Sequence, residues 1–584
     1  MLTDLARAAA LSALLLTAAC GGTAGDGSED DTQVDAGNET DSGNSGDGGG
    51  SAGGTPPPTG RSIYVDGNIA LDNCNDYDPN QRRCASGDAM AFRSLSDAAA
   101  IAEAGDHVLI RGGNYQEALI PANSGQPDAP IVFRAFDNET PVITGSNLSP
   151  AVDISNRQYL VIEGLTVDTV RRWLLARNTQ HVTLQNNRFL RAQDPYGSSK
   201  TGLFFERAHY NRLIGNRLED STQDNLVLID SNRNLIENNR FRQADHALWA
   251  IKCGDFNILR NNDFHNTDQK IGEIYDCDAV GFDKDITAEN HTRRNLVEGN
   301  VFSYTPSSGD SSPYAGIQHA GQDSIIRRNL FHDTTGPGIQ MTLYGGEARF
   351  NTGNRVFHNV FYRSDYAGVE LSGNSSYSFS DNLFKNNVFF QSRFAANDRR
   401  WSWYTDTLDG KPVQIKTGRL EGFLFDSNLI ADDGNDDPYL VVHGTRSPGS
   451  APRSLAEWER DHPLLFRNSI TAMPGFRDAE NLDFNALDDS PLIDSGTFLT
   501  RSVGAGQGTA LPVLDSGYFF DGYGIPGERG DEIQLQGQSV TARILSIDHD
   551  ARILHLDRPL EWVDGQGVTL GYRGSAPDIG WHER

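Results

Sequence analysis

The chain has 584 residues and a mass of 63.9 kDa, room for several ordinary domains or for one long repeat array that needs no subdivision. Glycine fills 60 positions, methionine only 4, and 37% of residues are hydrophobic, which favours many turns and short strands and excludes a helical bundle or coiled coil as the main body. The formal charge of −29 argues against unaided binding to nucleic acid or an anionic membrane surface, because both are polyanions.

The first twenty residues, MLTDLARAAALSALLLTAAC, hold one Arg, an apolar run from Ala8 to Leu16, and small residues leading up to Cys20. The run is too short to span a bilayer as a mature helix. Leu-Thr-Ala-Ala-Cys resembles a bacterial lipoprotein signal, which implies that Cys20 becomes the lipidated first residue of a chain at the outer membrane or cell surface of a bacterium. A secreted protein with a cleaved signal and no lipid is the alternative. From Gly21 to Gly60 there is no Lys, Arg or aromatic residue, and a stretch with so little to bury is expected to be a disordered tether ending in Pro56-Pro57-Pro58.

With Cys20 set aside, four cysteines remain for an oxidising compartment. Cys74 and Cys84 bracket the polar loop NCNDYDPNQRRC and are expected to form a disulfide. Cys253 and Cys277 lie about one repeat apart and are read as pairing or stacking. No Cys/His spacing suggests zinc.

Self-similarity governs the middle of the chain. Asn-x-(Phe/Leu) recurs at Asn187, Asn216, Asn239, Asn262, Asn300, Asn329, Asn359 and Asn387, with gaps of 29, 23, 23, 38, 29, 30 and 28 residues. Most repeats carry a second apolar strand, such as GLFFE at Gly202, NLVLI at Asn225, ALWAI at Ala247 and GIQMT at Gly338. A basic turn of 23 residues with variable insertions is what a coil of short strands with loops on one side would give. Asn recurring at one turn can hydrogen-bond to its copies in adjacent coils.

This pattern resembles the right-handed parallel β-helix of the pectate-lyase-like superfamily, over roughly Ser62 to Thr500. The resemblance implies an all-β solenoid. SLSDAAAIAEAGDHVLIRGGNYQE, from Ser94, looks like the helix that plugs the N-terminal end of such coils. IQLQGQSVTARILSIDHDARILHLDRPLEWVDGQGVTLGY, from Ile533, reads as four alternating strands of a small C-terminal module, more often a cap than a binding domain. The expected organisation is a signal over 1–20, a tether over 21–60, the coil over 61–500 and a C-terminal β module or cap over 501–584.

The longest gap, between Asn262 and Asn300, contains an insertion of about fifteen residues over the basic coil, and long loops on a rigid scaffold carry function more often than strands do. This segment offers Lys270, Glu273, Tyr275, Asp276, Asp278 and Asp283, and the preceding coil His246, Trp249 and Lys252. Gln318, His319, Gln340 and Glu370 are their neighbours in the following coils and, with Trp249, candidates to bind substrate. His319 is ambiguous, since the register of GIQHAG could turn it inward. Tyr275, Tyr314 and Tyr344 are further candidates to stack on sugar rings, but only Trp249 is expected from the strand period to face outward. Asp224 is read as a turn cap.

Lys252-Cys253, followed by Asn257, Arg260 and Asn262-Asp263-Phe264, resembles the Lys-Ser…Asn…Arg-Asn-Thr-Phe string of alginate-lyase and chondroitinase-B-like polysaccharide lyases. The resemblance implies Lys252 as catalytic base and calcium neutralising the substrate carboxylate. Asp283 and Lys284 stand where that family has an Arg, so the second catalytic residue is open among His246, Lys270 and Tyr275. Removing a proton α to a uronate carboxylate needs a base and a positive charge on that carboxylate. A lysine of depressed pKa supplies the first, and calcium held by Glu273, Asp276, Asp278 and Asp283 the second. Lys252 itself is expected on the coil's outer edge, replaceable at little cost in stability.

The expected function is thus a surface-tethered, monomeric enzyme that degrades a polysaccharide, a lyase acting on a uronate-containing glycan, attached to the membrane by lipid only. A non-catalytic glycan-binding or structural β-helix and a glycoside hydrolase stay open. For the hydrolase, Asn266-Thr267-Asp268 is present, but no Gly-His-Gly or Arg-Ile-Lys follows it.

Overall fold

The structure is a computed structural model that describes residues 57–194, 202–275, 292–305, 314–342, 350–372, 378–391, 412–415, 420–431, 441–443 and 454–584. Cys20, the tether up to residue 56, Cys277, Asp276, Asp278, Asp283 and Tyr344 lie outside the described residues.

Three sheets wind around one core. The first has sixteen strands and includes Ser62–Val65 near one end and Phe466–Arg467 at the other. The second has twelve, from Gly113–Tyr115 to Leu429–Ala431, and the third eleven, from Val152–Asp153 to Val441–His443. One coil takes a strand from each in turn, as in Leu235–Glu237, Arg240–Ala244 and Ala247–Lys252. Among the described residues, pairing in these three sheets is parallel except for Asn73–Tyr77 against Ala89–Phe92, at the start of the first sheet. The coil ends at Arg467, short of Thr500.

Two side-chain columns hold successive coils in register. Asn216 Nδ2 donates to Asn239 Oδ1 at 3.0 Å, Asn239 to Asn262 at 3.0 Å and Asn262 to Asn300 at 3.0 Å, and each Nδ2 also reaches a backbone carbonyl. These amides thereby satisfy turn groups that would otherwise be buried unpaired. The residue before each Asn turns the chain through positive φ, at Gly215, Asn238, Asn261 and Gly299, which suits glycine and asparagine. A second ladder, Asn211, Asn234, Asn257 and Asn295, closes another turn. Inside the coil, Phe264, Phe302, Phe331, Phe361 and Phe389 stack with centroids 4.6 to 5.1 Å apart, the strand spacing itself.

At the N-terminal end, helix Leu95–Ile101 buries Leu95, Ala98 and Ala99 against this core. Ser94 caps it by accepting from Asp97 N, and the Glu117 carboxylate accepts from Leu95 N at 2.8 Å. Cys74 and Cys84 form a disulfide beside it, with Cα atoms 6.1 Å apart. Cys253 is also disulfide-bonded.

The C-terminal module has six antiparallel strands, because Thr500–Arg501 and Gly506–Pro512 join the four read from Ile533 onward. It does not cap the end of the coil. It lies along the outer face of the first sheet, where Leu235, Ile258, Leu296, Ile325 and Phe357 share an apolar cluster with Tyr518, Phe520 and Ile544. The outer face of the second sheet is covered in the same way over its last coils, Val360, Val388 and Leu429 packing on Phe484, Leu492 and Ile579. Among the described residues, runs of polar side chains remain on two outer faces: that of the earlier coils of the second sheet, with Arg217, Glu219, Arg240, Arg242, Asp263 and His265, and that of the third sheet.

Candidate functional site

Register and alternation assign the faces of the third sheet. Ile251, Ile274, His319, Met341 and Leu371 are paired across adjacent strands, and so are Trp249, Gly272, Ile317, Ile339 and Val369. Both rows belong inside, since all but Gly272 and His319 are members of the main apolar core. The residues between them therefore face out. That outer row reads Val227, Ala250, Glu273, Gln318, Gln340, Glu370 and Gln414, with Ile229, Lys252 and Tyr275 beside it. The row begins apolar, with Leu175, Phe204, Val227 and Ile229 in a buried cluster of their own. It becomes charged at Lys252 and Glu273.

Trp249 and His319 consequently do not reach a ligand on this face. The indole lies in the core because its partner across the strands is Gly272, where a Cβ would come 2.2 Å from the ring. Alternation alone could not reveal that vacancy. His319 is fully buried between Ile274 and Met341 with neither ring nitrogen hydrogen-bonded, and burial lowers its pKa to about 4.

Lys270, Glu273 and Tyr275 lie not in the inserted loop but on the strand Lys270–Tyr275. Glu273 is 1% exposed and stands at the centre of a charge cluster. Lys270 forms an ion pair with its Oε1, Lys252 Nζ lies 3.3 Å from Oε2, and His246 Nε2 lies 3.5 Å from Oε1. His246 Nδ1 is 2.7 Å from Asp224 Oδ1, and Lys270 Nζ is 3.0 Å from His246 Nε2. Burial works against the Glu273 charge, but Lys270, Lys252 and His246 overcome it and hold the carboxyl well below the usual carboxylate range. Burial likewise works against the Lys252 ammonium, and Glu273 and Asp224 overcome it, so Lys252 is held above the ordinary lysine value.

Three expectations change with this geometry. A lysine held in its ammonium form is a poor general base, so Lys252 does not fit that role. Its side chain is 14% exposed and ion-paired, not a free outer edge. Glu273, whose oxygens face two ammonium groups and an imidazole, does not fit a calcium ligand, because an added cation would meet like charge. The remaining expected ligands, Asp276, Asp278 and Asp283, lie outside the described residues. Among the described residues the one group of His, Cys, Asp or Glu gathered closely enough for a metal is Cys74, Asp76 and Cys84, and its two thiols are spent in the disulfide.

Asp224 is the site residue that sequence reasoning missed. It caps Ala247 N at 3.0 Å, as a turn acid would, and the same oxygen holds His246. The available signal was spacing: 22 residues, one short of the basic coil, separate it from His246. Of the residues around Lys252 that carry the likeness, Asn257 and Asn262 belong to the two ladders, and Arg260 pairs with Glu237 on the first sheet and Glu528 of the C-terminal module. Asn266, from the Asn-Thr-Asp string, donates to Ala244 O and Lys270 O and serves the backbone. Along the outer row, Tyr275 Oη donates to Gln318 Oε1 at 2.5 Å and Gln340 Nε2 to Glu370 Oε1 at 3.0 Å. The Tyr314 carbonyl accepts from Thr305 Oγ1 at 2.7 Å.

Residues 150–300 match the family described as the right handed beta helix region. The coil is a right-handed parallel β-helix. A relative from Bacillus subtilis, the uncharacterized protein YwoF, is 24% identical over 440 residues, 68% of this chain and 87% of its own. Among solved structures, pectate lyase Pel9A is 13% identical with a TM-score of 0.37, over 90% of this chain and 97% of that one. XylC, solved in complex with xylose, is 10% identical with a TM-score of 0.43, over 87% and 99%. Likeness of this degree concerns the coil and carries nothing about the chemistry of the third sheet.

Proposed function

We propose that this β-helix is a carbohydrate-active enzyme of the cell exterior, a lyase that cleaves a uronate-containing polysaccharide on the outer face of the third sheet. The observation that carries this reading is the buried cluster of Glu273, Lys252, Lys270 and His246. Burying several charges costs stability that apolar residues would not, so such a cluster on an otherwise regular coil points to chemistry.

The roles follow from the pairing. Asp224 accepts the Nδ1 proton of His246 and leaves Nε2 as the basic nitrogen. Lys252 and Lys270 supply the positive charge that β-elimination requires, without a metal. A uronate carboxylate entering beside Glu273 competes for these two ammonium groups, and drawing Lys270 from Nε2 frees the base when substrate is in place. His246 then takes the proton α to the carboxylate. The C–H electrons form the new C=C bond, the glycosidic C–O bond breaks, and the leaving oxygen takes the Tyr275 hydroxyl proton. A hydrolase would need two carboxyls about 5 to 10 Å apart. Glu273 and Glu370 are separated by three strand spacings, about 14 Å, and do not meet that need, while Asp224, across His246 from Glu273, is buried and spent on His246 Nδ1 and Ala247 N.

Full-length protein incubated with polygalacturonate, alginate and neutral glycans, with and without chelator, tests this. Unsaturated uronate absorbance that survives the chelator is expected. New reducing ends without absorbance would mark a hydrolase, and binding without products a non-catalytic module. Loss of activity with the chelator would return the carboxylate to calcium held by Asp276, Asp278 and Asp283.

A further inference from the structure

A second site lies on another side of the coil, where the C-terminal module crosses the turns that lead into the first sheet. Each of these turns places one residue of positive φ at the surface, and over five coils these residues form a stack. Tyr159 lies on His181 at 4.9 Å, His181 on Tyr210 at 5.2 Å, and the Arg233 guanidinium lies 4.6 Å from the Phe256 centroid. Tyr523 of the module closes the stack, edge-on to Phe256 at 5.2 Å. The next turns carry Arg294, Asp323 and Gly353, with no ring, and between them and the module lies a cleft of about 420 Å³.

Its walls are charged, yet not every charge is paired off. Arg355 is satisfied by Asp381 at 2.8 Å and Asp515 at 3.0 Å. Arg294 and Asp323 approach only to 3.9 Å, beyond a hydrogen bond, and the buried Arg294 Nε has no hydrogen-bond partner. Gly353 keeps them apart from the column: a Cβ there would come 2.1 Å from Asp323 Oδ1, so the glycine leaves the carboxylate room above the turn. On the facing wall, His549 is kept neutral by burial, with a pKa near 4, and its Nδ1 lies 3.2 Å from Ser516 Oγ.

We infer that this cleft binds a neutral sugar ring through adjacent hydroxyls, one donating to Asp323 and the other accepting from Arg294. A ligand of net charge meets like charge here, since Arg294, Arg355 and Arg552 share the walls with Asp323, Asp381, Asp515 and Asp550. A hydroxyl both donates and accepts, and so can bridge a carboxylate and a guanidinium that do not reach each other. The site would hold a neutral portion of a glycan away from the third sheet, and it stands whether or not the lyase reading does.

Calorimetric titration of the full-length protein with methyl glucoside, galactoside, mannoside and xyloside, and with sodium glucuronate, tests the inference. At least one neutral glycoside should bind. Affinity should fall at least about tenfold in Asp323→Asn and in Arg294→Gln, the scale of one lost charge-assisted hydrogen bond, and stay unchanged in His246→Gln. Gly353→Asn, which tolerates positive φ but crowds the Asp323 carboxylate, should weaken binding with both charges in place, so the inference does not depend on one variant folding. No binding by any neutral glycoside, a glucuronate affinity above theirs that falls with the same cleft substitutions, or neutral binding untouched by these three cleft substitutions would overturn it.

Discussion

Asp224 Oδ1 and His246 Nδ1 lie 2.7 Å apart, although each belongs to a different coil. Parallel winding makes such a pair from residues one turn apart, and it fixes which imidazole nitrogen is left to act as base. His246→Gln should lower cleavage roughly 100- to 10,000-fold, the usual cost of a missing general base. Asp224→Asn leaves the ring in place but loosens its aim, and should cost about 100-fold in kcat with KM little changed. Added imidazole should restore part of the activity of His246→Gly. Rescue would not occur if the ring only filled space.

Lys252 gives a second contrast. As a base, it would lose all activity on replacement by Arg. As an ammonium serving Glu273 and a substrate carboxylate, it should keep substantial activity in Lys252→Arg and show a raised KM in Lys252→Met. Steady-state kinetics of the two variants separate these roles.

Glu273→Gln should be the most destabilising single change in the cluster. It leaves the Lys252 and Lys270 ammoniums buried without their counter-charge, which typically costs about 3 to 5 kcal/mol. Denaturant midpoints compared with Lys252→Met, which still leaves Glu273 one lysine, should rank the two in that order.

His319 predicts a pH effect. Its folded-state pKa is near 4 and its unfolded value near 6.5, so between those values the unfolded chain binds the extra proton. The neutral ring therefore contributes fully above about pH 6.5, and stability declines by up to about 3 kcal/mol as pH falls toward 4. His319→Met, similar in size and without unpaired nitrogens, should be more stable than the parent at pH 4.5 and should flatten this part of the stability profile. An unchanged profile would show that the imidazole finds a partner when protonated.

The ladder was legible because one Asn per coil, each following a residue suited to positive φ, leaves a mark in the linear sequence at Asn216, Asn239 and Asn262. The segment containing the site was legible too, since the longest insertion between Asn187 and Asn387 follows the strand Lys270–Tyr275. What each side chain does there was not. Trp249 turns inward because of Gly272 on the next coil, Lys252 is held cationic by Glu273 on that coil, and Asp224 sits on the coil before His246. These are contacts between coils, and variable insertions hide them from a reading along one strand. The module's position was illegible for the same reason: Arg327 and Asp531 are 204 residues apart.

That last pair carries the final prediction. Arg327, buried against the module, grips Asp531 with two hydrogen bonds of 2.7 Å and Glu298 with a third of 2.7 Å. Arg260 adds Glu528 at 2.8 Å. Asp531 also accepts from Phe520 N at 2.9 Å, so the grip reaches the apolar contact between module and coil. Arg327→Met leaves two carboxylates facing each other at this seam, and should cost about 3 to 5 kcal/mol. Arg327→Lys keeps the charge but not the two-pronged geometry, and should fall between parent and Met. The loss should appear first at the seam: calorimetry of Arg327→Met should resolve an early transition for the module, and limited proteolysis should cut between the coil and Thr500 before the coil itself yields. Acid should act in the same direction. Burial works to raise the Glu298 carboxyl, but Arg327 and Arg260 bring it down to about 2. Its contribution is therefore complete above about pH 4.5 and is lost as pH falls toward 2, by up to about 3 kcal/mol. Glu298→Gln should remove that part of the acid sensitivity while lowering stability at neutral pH. If Arg327→Met melts in one transition at the parent temperature, the module is held without this grip, by its apolar contact and the pairs Arg260–Glu528 and Arg355–Asp515.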